Sequence, residues 1–321
     1  MRRFDCHTGG GARWWRGALA ASAALLVPAV LAACGPASSA GVSSTSGLVS
    51  VVAGENQYGN VAAQIGGRYV QVSSVENNPN TDPHAYEVSP RVAGEVSDAT
   101  LVIQNGVGYD TFMNKIESAS PNSNRKVVDV QHLLELPDDT PNPHLWYDPK
   151  TMPAVATAIG NDLAAVDPSH AEYFRANVTK FDDSLQPWLH AVAAFKSAHG
   201  GSPAATTEPV ADYLLTAMGI DNLAPFAFQA GIMNGTDPAP QGIALENGFF
   251  SKHRVKLFAY NQQVVDSLTE SIRSNAQHAG VAVVGVYETM PTPGYTYQSW
   301  MLAETNAIAA AVEHGTSTLH L

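Results

Sequence analysis

Residues 48–75 read LVSVVAGENQYGNVAAQIGGRYVQVSSV, and their pattern decides the fold. Leu48–Ala53 is a short apolar run of strand type. Asn56–Ile65 is helical and closes on Gly66-Gly67, where glycine ends a helix without steric cost. Tyr69–Val75 is strand-like again. Strand, helix and strand in that order argue for a parallel sheet with helices on both faces.

The alternation continues outward. Pro90–Val96 reads as a helix, Thr100–Gln104 as a strand, Asp110–Ile116 as a helix, Lys126–Val130 as a strand and Pro153–Val166 as a helix. It breaks at 168–199. Asp167-Pro168 is a helix start, with a capping carboxylate ahead of proline. Phe174, Val178, Phe181, Leu185, Trp188, Val192 and Phe195 then fall at alternating steps of 4 and 3, one apolar stripe of a long helix. Pro187 should kink or split it. Alternation resumes with strands at Pro203–Thr207, Val255–Tyr260 and Val281–Tyr287. The helices there are Pro209–Met218, Gly242–Ser251, Val264–Ala279 and Tyr295–Glu313. The expected plan is an α/β lobe over 48–167, a linker helix over 168–199 and a second α/β lobe over 200–321.

The N-terminal side is of another kind. Arg2, Arg3, Arg13 and Arg16 precede an apolar run at 17–33 that contains Pro28, the pattern of a secretory signal rather than a membrane span. The run ends in Leu31-Ala32-Ala33-Cys34-Gly35, which resembles a bacterial lipobox. Residues 1–33 are therefore expected to be removed and Cys34 lipidated, with 34–47 a flexible, small and polar tether. The chain's two cysteines, Cys6 and Cys34, allow no disulfide scaffold and no Cys-rich zinc module.

Charge narrows the function. Lys and Arg number 17 against 29 Asp and Glu, a net charge of −12 over 321 residues. Loss of 1–33 would remove four Arg and one Asp and leave the chain more acidic still. Nucleic-acid backbone needs clustered Lys and Arg, so it is a poor partner. Cations suit this chain better.

In open α/β sheets, ligands sit outside the carboxyl ends of the strands. Four polar residues follow strands directly: His84 in Asn80-Thr81-Asp82-Pro83-His84, His144 in Asn142-Pro143-His144, Glu208 in Thr206-Thr207-Glu208 and Glu288 in Val286-Tyr287-Glu288. Two imidazoles from one lobe and two carboxylates from the other suit one divalent first-row metal in the cleft between them. Singly, each has an ordinary reading. A loop histidine caps or faces solvent, and a glutamate opening a helix complements its N-terminus.

With these residues in view, the chain resembles the substrate-binding lipoproteins of metal-ion ABC importers, the zinc/manganese group. The matching stretches are Ile65-Gly66-Gly67, Asp82-Pro83-His84-Ala85-Tyr86, residues 98–106 (DATLVIQNG), residues 142–149 (NPHLWYDP) and Asp167-Pro168 with Tyr173 and Asn177. Tyr260-Asn261-Gln262-Gln263 and Tyr287-Glu288-Thr289-Met290-Pro291 look like a distinct branch. The resemblance implies two Rossmann-like (β/α) lobes joined by a long rigid helix, with the metal between them. His84 and His144 match the two first-lobe ligands. Glu208 matches the third position, where zinc members often carry histidine and manganese-type members glutamate, and Glu288 lies near the fourth. The His-rich loop of many zinc proteins is absent, and Glu135-Leu136-Pro137-Asp138-Asp139 stands in its region, so zinc and manganese both stay open.

The function implied is capture of one zinc or manganese ion outside the membrane by a lipid-anchored monomer, for delivery to an ABC permease. A partner ATPase would drive transport, since the sequence holds no phosphate-binding P-loop. The alternative is a metal-dependent hydrolase with His/Glu-bound metal. Such a site keeps a position open for water, whereas four protein donors close it. No His-Glu-x-x-His or Gly-x-Ser-x-Gly occurs. An adhesin role finds no residue in its favour.

Overall fold

The computed structural model describes residues 47–83, 86–291 and 293–321, all within one compact unit. The expected signal segment, Cys34, the tether up to residue 46 and His84 lie outside the described residues.

Among the described residues eight strands alternate with twelve α-helices. The first half contains β1 (Val49–Glu55), α1 (Asn56–Gly66), β2 (Val70–Glu76), α2 (Pro90–Asp98), β3 (Leu101–Gln104), α3 (Thr111–Ala119), β4 (Lys126–Asp129), α4 (Val130–Leu133) and α5 (Thr151–Val166). Helices α6 (Ala171–Ser184) and α7 (Gln186–His199) follow. The second half contains β5 (Pro203–Thr206), α8 (Asp212–Ala217), β6 (Asp221–Asn222), α9 (Phe226–Met233), α10 (Pro240–Ser251), β7 (Leu257–Asn261), α11 (Ser267–His278), β8 (Ala282–Val286) and α12 (Tyr297–His314).

Both sheets are parallel and four-stranded, in the orders β2-β1-β3-β4 and β6-β5-β7-β8. β1 pairs Val51 with Val72 on one side and with Leu101 on the other. Val51, Val52 and Ala53 are all buried, as expected of a strand covered on both faces, which reads as an apolar run rather than an alternation. In each sheet the strand order reverses beside its first strand. A crevice therefore opens at the carboxyl ends of β1 and β3, and another at those of β5 and β7.

The segment 168–199 divides as Pro187 implies. A 3-10 turn at Pro168–His170 leads into α6, and the helix restarts as α7 after Leu185, with Pro187 in its first turn where no N–H is missed. The two pieces serve different partners: α6 packs on α5, and α7 packs on α12. Trp188 is buried and its indole N–H donates to Thr305 Oγ1 at 3.0 Å. Asn177 Nδ2 reaches back to the Ile65 carbonyl at 2.9 Å. Gly67, at φ +54° and ψ −129°, holds a left-handed extended conformation open only to glycine, and Tyr173 fills the space a Cβ would need.

The two halves also meet directly. One apolar core contains Val51 and Leu101 of the first sheet together with Val284 of the second. Asn56 and Met290 exchange two hydrogen bonds, of 2.8 and 2.9 Å. Tyr147 donates to the Tyr287 carbonyl at 2.8 Å, and Tyr297 to the Trp146 carbonyl at 2.7 Å. Each such buried bond is worth about 1 kcal/mol net. Among the described residues no helix is long and apolar enough to cross a membrane.

Candidate metal centre

Glu208, Asn261 and Glu288 all stand at the carboxyl ends of strands in the second sheet. Glu208 lies two residues past β5, Asn261 ends β7, and Glu288 lies two residues past β8. β5 and β7 are neighbours at the reversal of strand order, so their ends converge. His144 arrives from the first half, where Asn142-Pro143-His144 leads into a 3-10 turn at Leu145–Tyr147. His144 and Glu288 are fully buried, and Asn261 and Glu208 nearly so.

Asn142 orients the imidazole. Its Oδ1 accepts from the His144 backbone N–H at 3.0 Å and lies 2.7 Å from Nδ1, while its Nδ2 donates to the Pro209 carbonyl at 2.8 Å. With the amide so placed, the neutral ring carries its proton on Nδ1 and presents the lone pair of Nε2. Nε2 lies 3.2 Å from Glu288 Oε2. Two lone-pair donors aimed at one another in a buried site call for a proton or a cation between them.

Glu288 is held at every polar atom. Oε2 also accepts from the Tyr109 hydroxyl at 3.0 Å, and Oε1 accepts from Asn261 Nδ2 at 2.7 Å. Its backbone N–H and that of Thr289 both donate to Gln263 Oε1 at 2.7 Å. Gln263 Nε2 in turn donates to the Thr81 carbonyl at 2.8 Å, on the segment that leads to His84. Burial, then the charge of Glu288, push the Tyr109 hydroxyl well above its ordinary value, so it stays a donor. Asn261 Nδ2 also donates to Glu208 Oε1 at 3.0 Å. Trp146 stands edge-on to both His144 and Tyr109, with ring centres 5.4 and 5.1 Å away. This dry aromatic wall lowers the local dielectric and strengthens every charge interaction inside.

The structure thus brings together three of the four residues singled out in the sequence, His144, Glu208 and Glu288, and the fourth, His84, is outside the described residues. Their donor set, imidazole nitrogen and carboxylate oxygen, fits a divalent first-row ion. Among the described residues no group of three or more His, Cys, Asp or Glu side chains is placed to hold a metal ion. The Asn261 amide lies between the two carboxylates. Cavities of about 620 and 220 Å³ flank Thr81–Pro83: the larger is lined by Asp82, Gln263 and Asp266, the smaller by Glu76, Thr81, Asp82 and Thr289.

The sequence reading missed Asn261, Tyr109, Asn142 and Gln263 as functional residues. For Asn261 the signal was present, since it ends a strand like the glutamates' neighbours, but an amide has no ligand chemistry to attract notice. A second acidic group sits at the ends of β1 and β2, where Glu55 pairs in register with Glu76 beside Asp110. Burial, then the charge of Asp110, push Glu55 well up. Asp110 is raised to about 6 by burial while the Asn105 and Gly106 N–H groups bind it. Those hydrogen bonds give Asp110 a structural role in the turn after β3.

The family model described as zinc-uptake complex component A, periplasmic, matches residues 51–311. The manganese-binding lipoprotein MntA of Halalkalibacterium halodurans is 29% identical over 173 residues, which are 52% of this chain and 56% of that protein. The manganese ABC transporter substrate-binding lipoprotein PsaA of Streptococcus pneumoniae is 28% identical over 116 residues, 32% of this chain and 38% of that one. The chain spans about half or less of the length of these relatives. The structure of the periplasmic zinc-binding protein TroA of Treponema pallidum superposes with a TM-score of 0.70 at 18% identity, covering 82% of this chain and 98% of that one. At that identity the likeness speaks for the fold.

Proposed function

We propose, from the premise that the chain belongs to the zinc-uptake complex component A family, that it captures one zinc or manganese ion outside the membrane and hands it to an ABC permease powered by a partner ATPase. The observation that carries this reading is the buried meeting of His144 Nε2 with Glu288 Oε2, across the two halves and beside Glu208. His84, His144, Glu208 and Glu288 are the proposed donors. The lobes proposed to close on the ion are 48–167 and 200–321, with 168–199 between them. Four protein donors fill a tetrahedral shell and leave no position for a metal-bound water, which favours carriage over hydrolysis. The protein is accordingly read as a binding protein without catalytic activity, monomeric and without affinity for nucleic acid.

The test is a titration of protein purified without chelator. One zinc or manganese ion per chain should bind and raise the melting temperature. A hundredfold excess of ion over Kd corresponds to about 2.7 kcal/mol of added stability. Absence of both uptake and thermal shift would refute the reading.

Attachment to the membrane is proposed to rest on acyl chains at Cys34. Cys34→Ser should move the protein from the detergent phase to the aqueous phase with its melting temperature unchanged. A variant that stays in the detergent phase would overturn the assignment.

A further inference from the structure

We propose that the end of the second sheet where its strands begin is a docking surface for anionic phospholipid headgroups, with Lys252, Arg254 and Lys256 as its contacts. The inference stands apart from the metal site, and the reading of Cys34 as a lipid anchor bears only on why a bilayer is at hand. Between residues 203 and 321 the chain carries ten Asp and Glu against four Lys and Arg, and three of those four fall within 252–256. Lys252, His253, Arg254 and Lys256 are all exposed. Among the described residues none of the three Lys and Arg side chains makes an ion pair.

The fold gathers further positive groups at this end. α7 finishes where β5 begins, α10 where β7 begins and α11 where β8 begins, in one parallel sheet. Lys196 and the His278 imidazole, both exposed, thereby join the same end. His253 closes α10 in the left-handed conformation at φ +49°, and the Arg254 N–H returns to the Phe249 carbonyl at 2.8 Å. A cation just past a helix has an ordinary reading, as a complement to the helix dipole. That covers Lys252 and Arg254. It leaves Lys256, which enters β7 with its backbone N–H on the Pro203 carbonyl at 2.9 Å. Beside the run lies a cavity of about 610 Å³ lined by Asn247, Ser251, His253, Asn275 and His278, with no carboxylate among its lining side chains. Hydroxyl, amide and imidazole groups beside three cations suit a phosphate-bearing headgroup.

The acidic end of this half does not cancel the attraction. Glu208, Asp266 and Glu288 stand at the opposite ends of the strands. The five residues of β7 put roughly 16 Å between the two ends, about two Debye lengths at physiological salt. A bilayer against the basic end therefore feels the cations and little of the acidic cleft.

Sedimentation with lipid vesicles tests this. Cys34→Ser protein is used so that no acyl chain contributes, with chelator present so that no divalent ion bridges carboxylates to lipid. At low salt the protein should sediment with vesicles of phosphatidylglycerol and phosphatidylcholine in equal parts, and not with phosphatidylcholine alone. Raised salt should release it. Lys252→Glu, Arg254→Glu and Lys256→Glu combined should lower the affinity by about a hundredfold, about fivefold for each side chain, with the melting temperature unchanged. Arg91→Glu, Lys115→Glu and Lys180→Glu combined make the same change in net charge at exposed positions elsewhere, and should bind nearly as the unsubstituted protein does. Equal losses in the two variants would make the effect one of net charge and overturn the proposal. So would a protein that does not sediment with the anionic vesicles, or a reversed 252–256 run that sediments undiminished. If that reversed run sediments undiminished but no longer delivers metal to membranes holding the permease, it addresses an acidic protein surface and the lipid assignment falls.

Discussion

Replacing His144 by Ala should lower zinc and manganese affinity by more than about a hundredfold. The ring is fully buried, turned by Asn142 so that Nε2 points at Glu288, and walled by Trp146. Alanine removes a nitrogen donor that no neighbour can replace. It also leaves Glu288 Oε2 facing a space without the imidazole, held on that side by the Tyr109 hydroxyl. Water entering that space would raise the dielectric and weaken the remaining attraction for a cation. His314, exposed at the end of α12, supplies the control, and His314→Ala should bind as the native protein does. Isothermal titration of the three proteins decides the matter, and unchanged affinity in His144→Ala would remove His144 from the site.

Stability without metal should fall as pH rises from about 4.5 to about 8, and Glu304→Gln should abolish a large part of that slope. Glu304 lies inside α12 with no exposed surface. Its Oε1 accepts from the Trp300 indole at 3.2 Å and the Tyr147 hydroxyl at 3.4 Å, while Oε2 has no partner among the described residues. Burial pushes its carboxyl up to about 8, against an ordinary value of 4.5. The other titratable groups facing it are the hydroxyls of Tyr147 and Tyr287, both themselves raised by burial first and by the charge of Glu304 next. The folded chain therefore keeps a proton that the unfolded chain releases near pH 4.5. Below that pH both states are protonated and the contribution is constant. Between 4.5 and 8 the folded state binds more protons and loses stability with rising pH, and above about 8 the loss levels off. The whole effect is about 3–5 kcal/mol. Glutamine stays neutral throughout, so its stability relative to the native protein should increase by that amount between pH 5 and pH 8. Glu246, also pushed to about 8 by burial, contributes equally to both proteins and cancels. Urea midpoints on chelator-treated protein measure it. The same difference at both pH values would mean that Glu304 is ionised in the fold.

Seven of the eight strands were legible, the most buried of them because burial on both faces writes itself as apolar runs such as Leu257–Ala259 and Ala282–Val284. α9 was not. Phe226–Met233 (FAFQAGIM) is apolar nearly all round and shows no period, so nothing distinguished it from a loop against the core. β6 is two polar residues, Asp221-Asn222, which become a strand only because β5 lies beside them. The start of α11 was placed three residues early at Val264. The structure begins it at Ser267, where Asp266 and Thr269 close a capping box that the sequence does contain.

The sequence alone determined the α/β alternation, the apolar stripe with its break at Pro187, and the candidacy of His84, His144, Glu208 and Glu288. Each of these is local: a period, a proline, or a polar residue directly after a strand. Only the tertiary structure decided that β5 and β7 adjoin where the strand order reverses, which puts Asn261 between two glutamates that are 53 and 27 residues away along the chain. It alone decided that Asn142 turns the imidazole and that Glu304 is sealed away from water with its proton. These are properties of which groups surround a side chain and how little water reaches it. Strand order and burial are set by packing between distant segments, so no window of sequence encodes them.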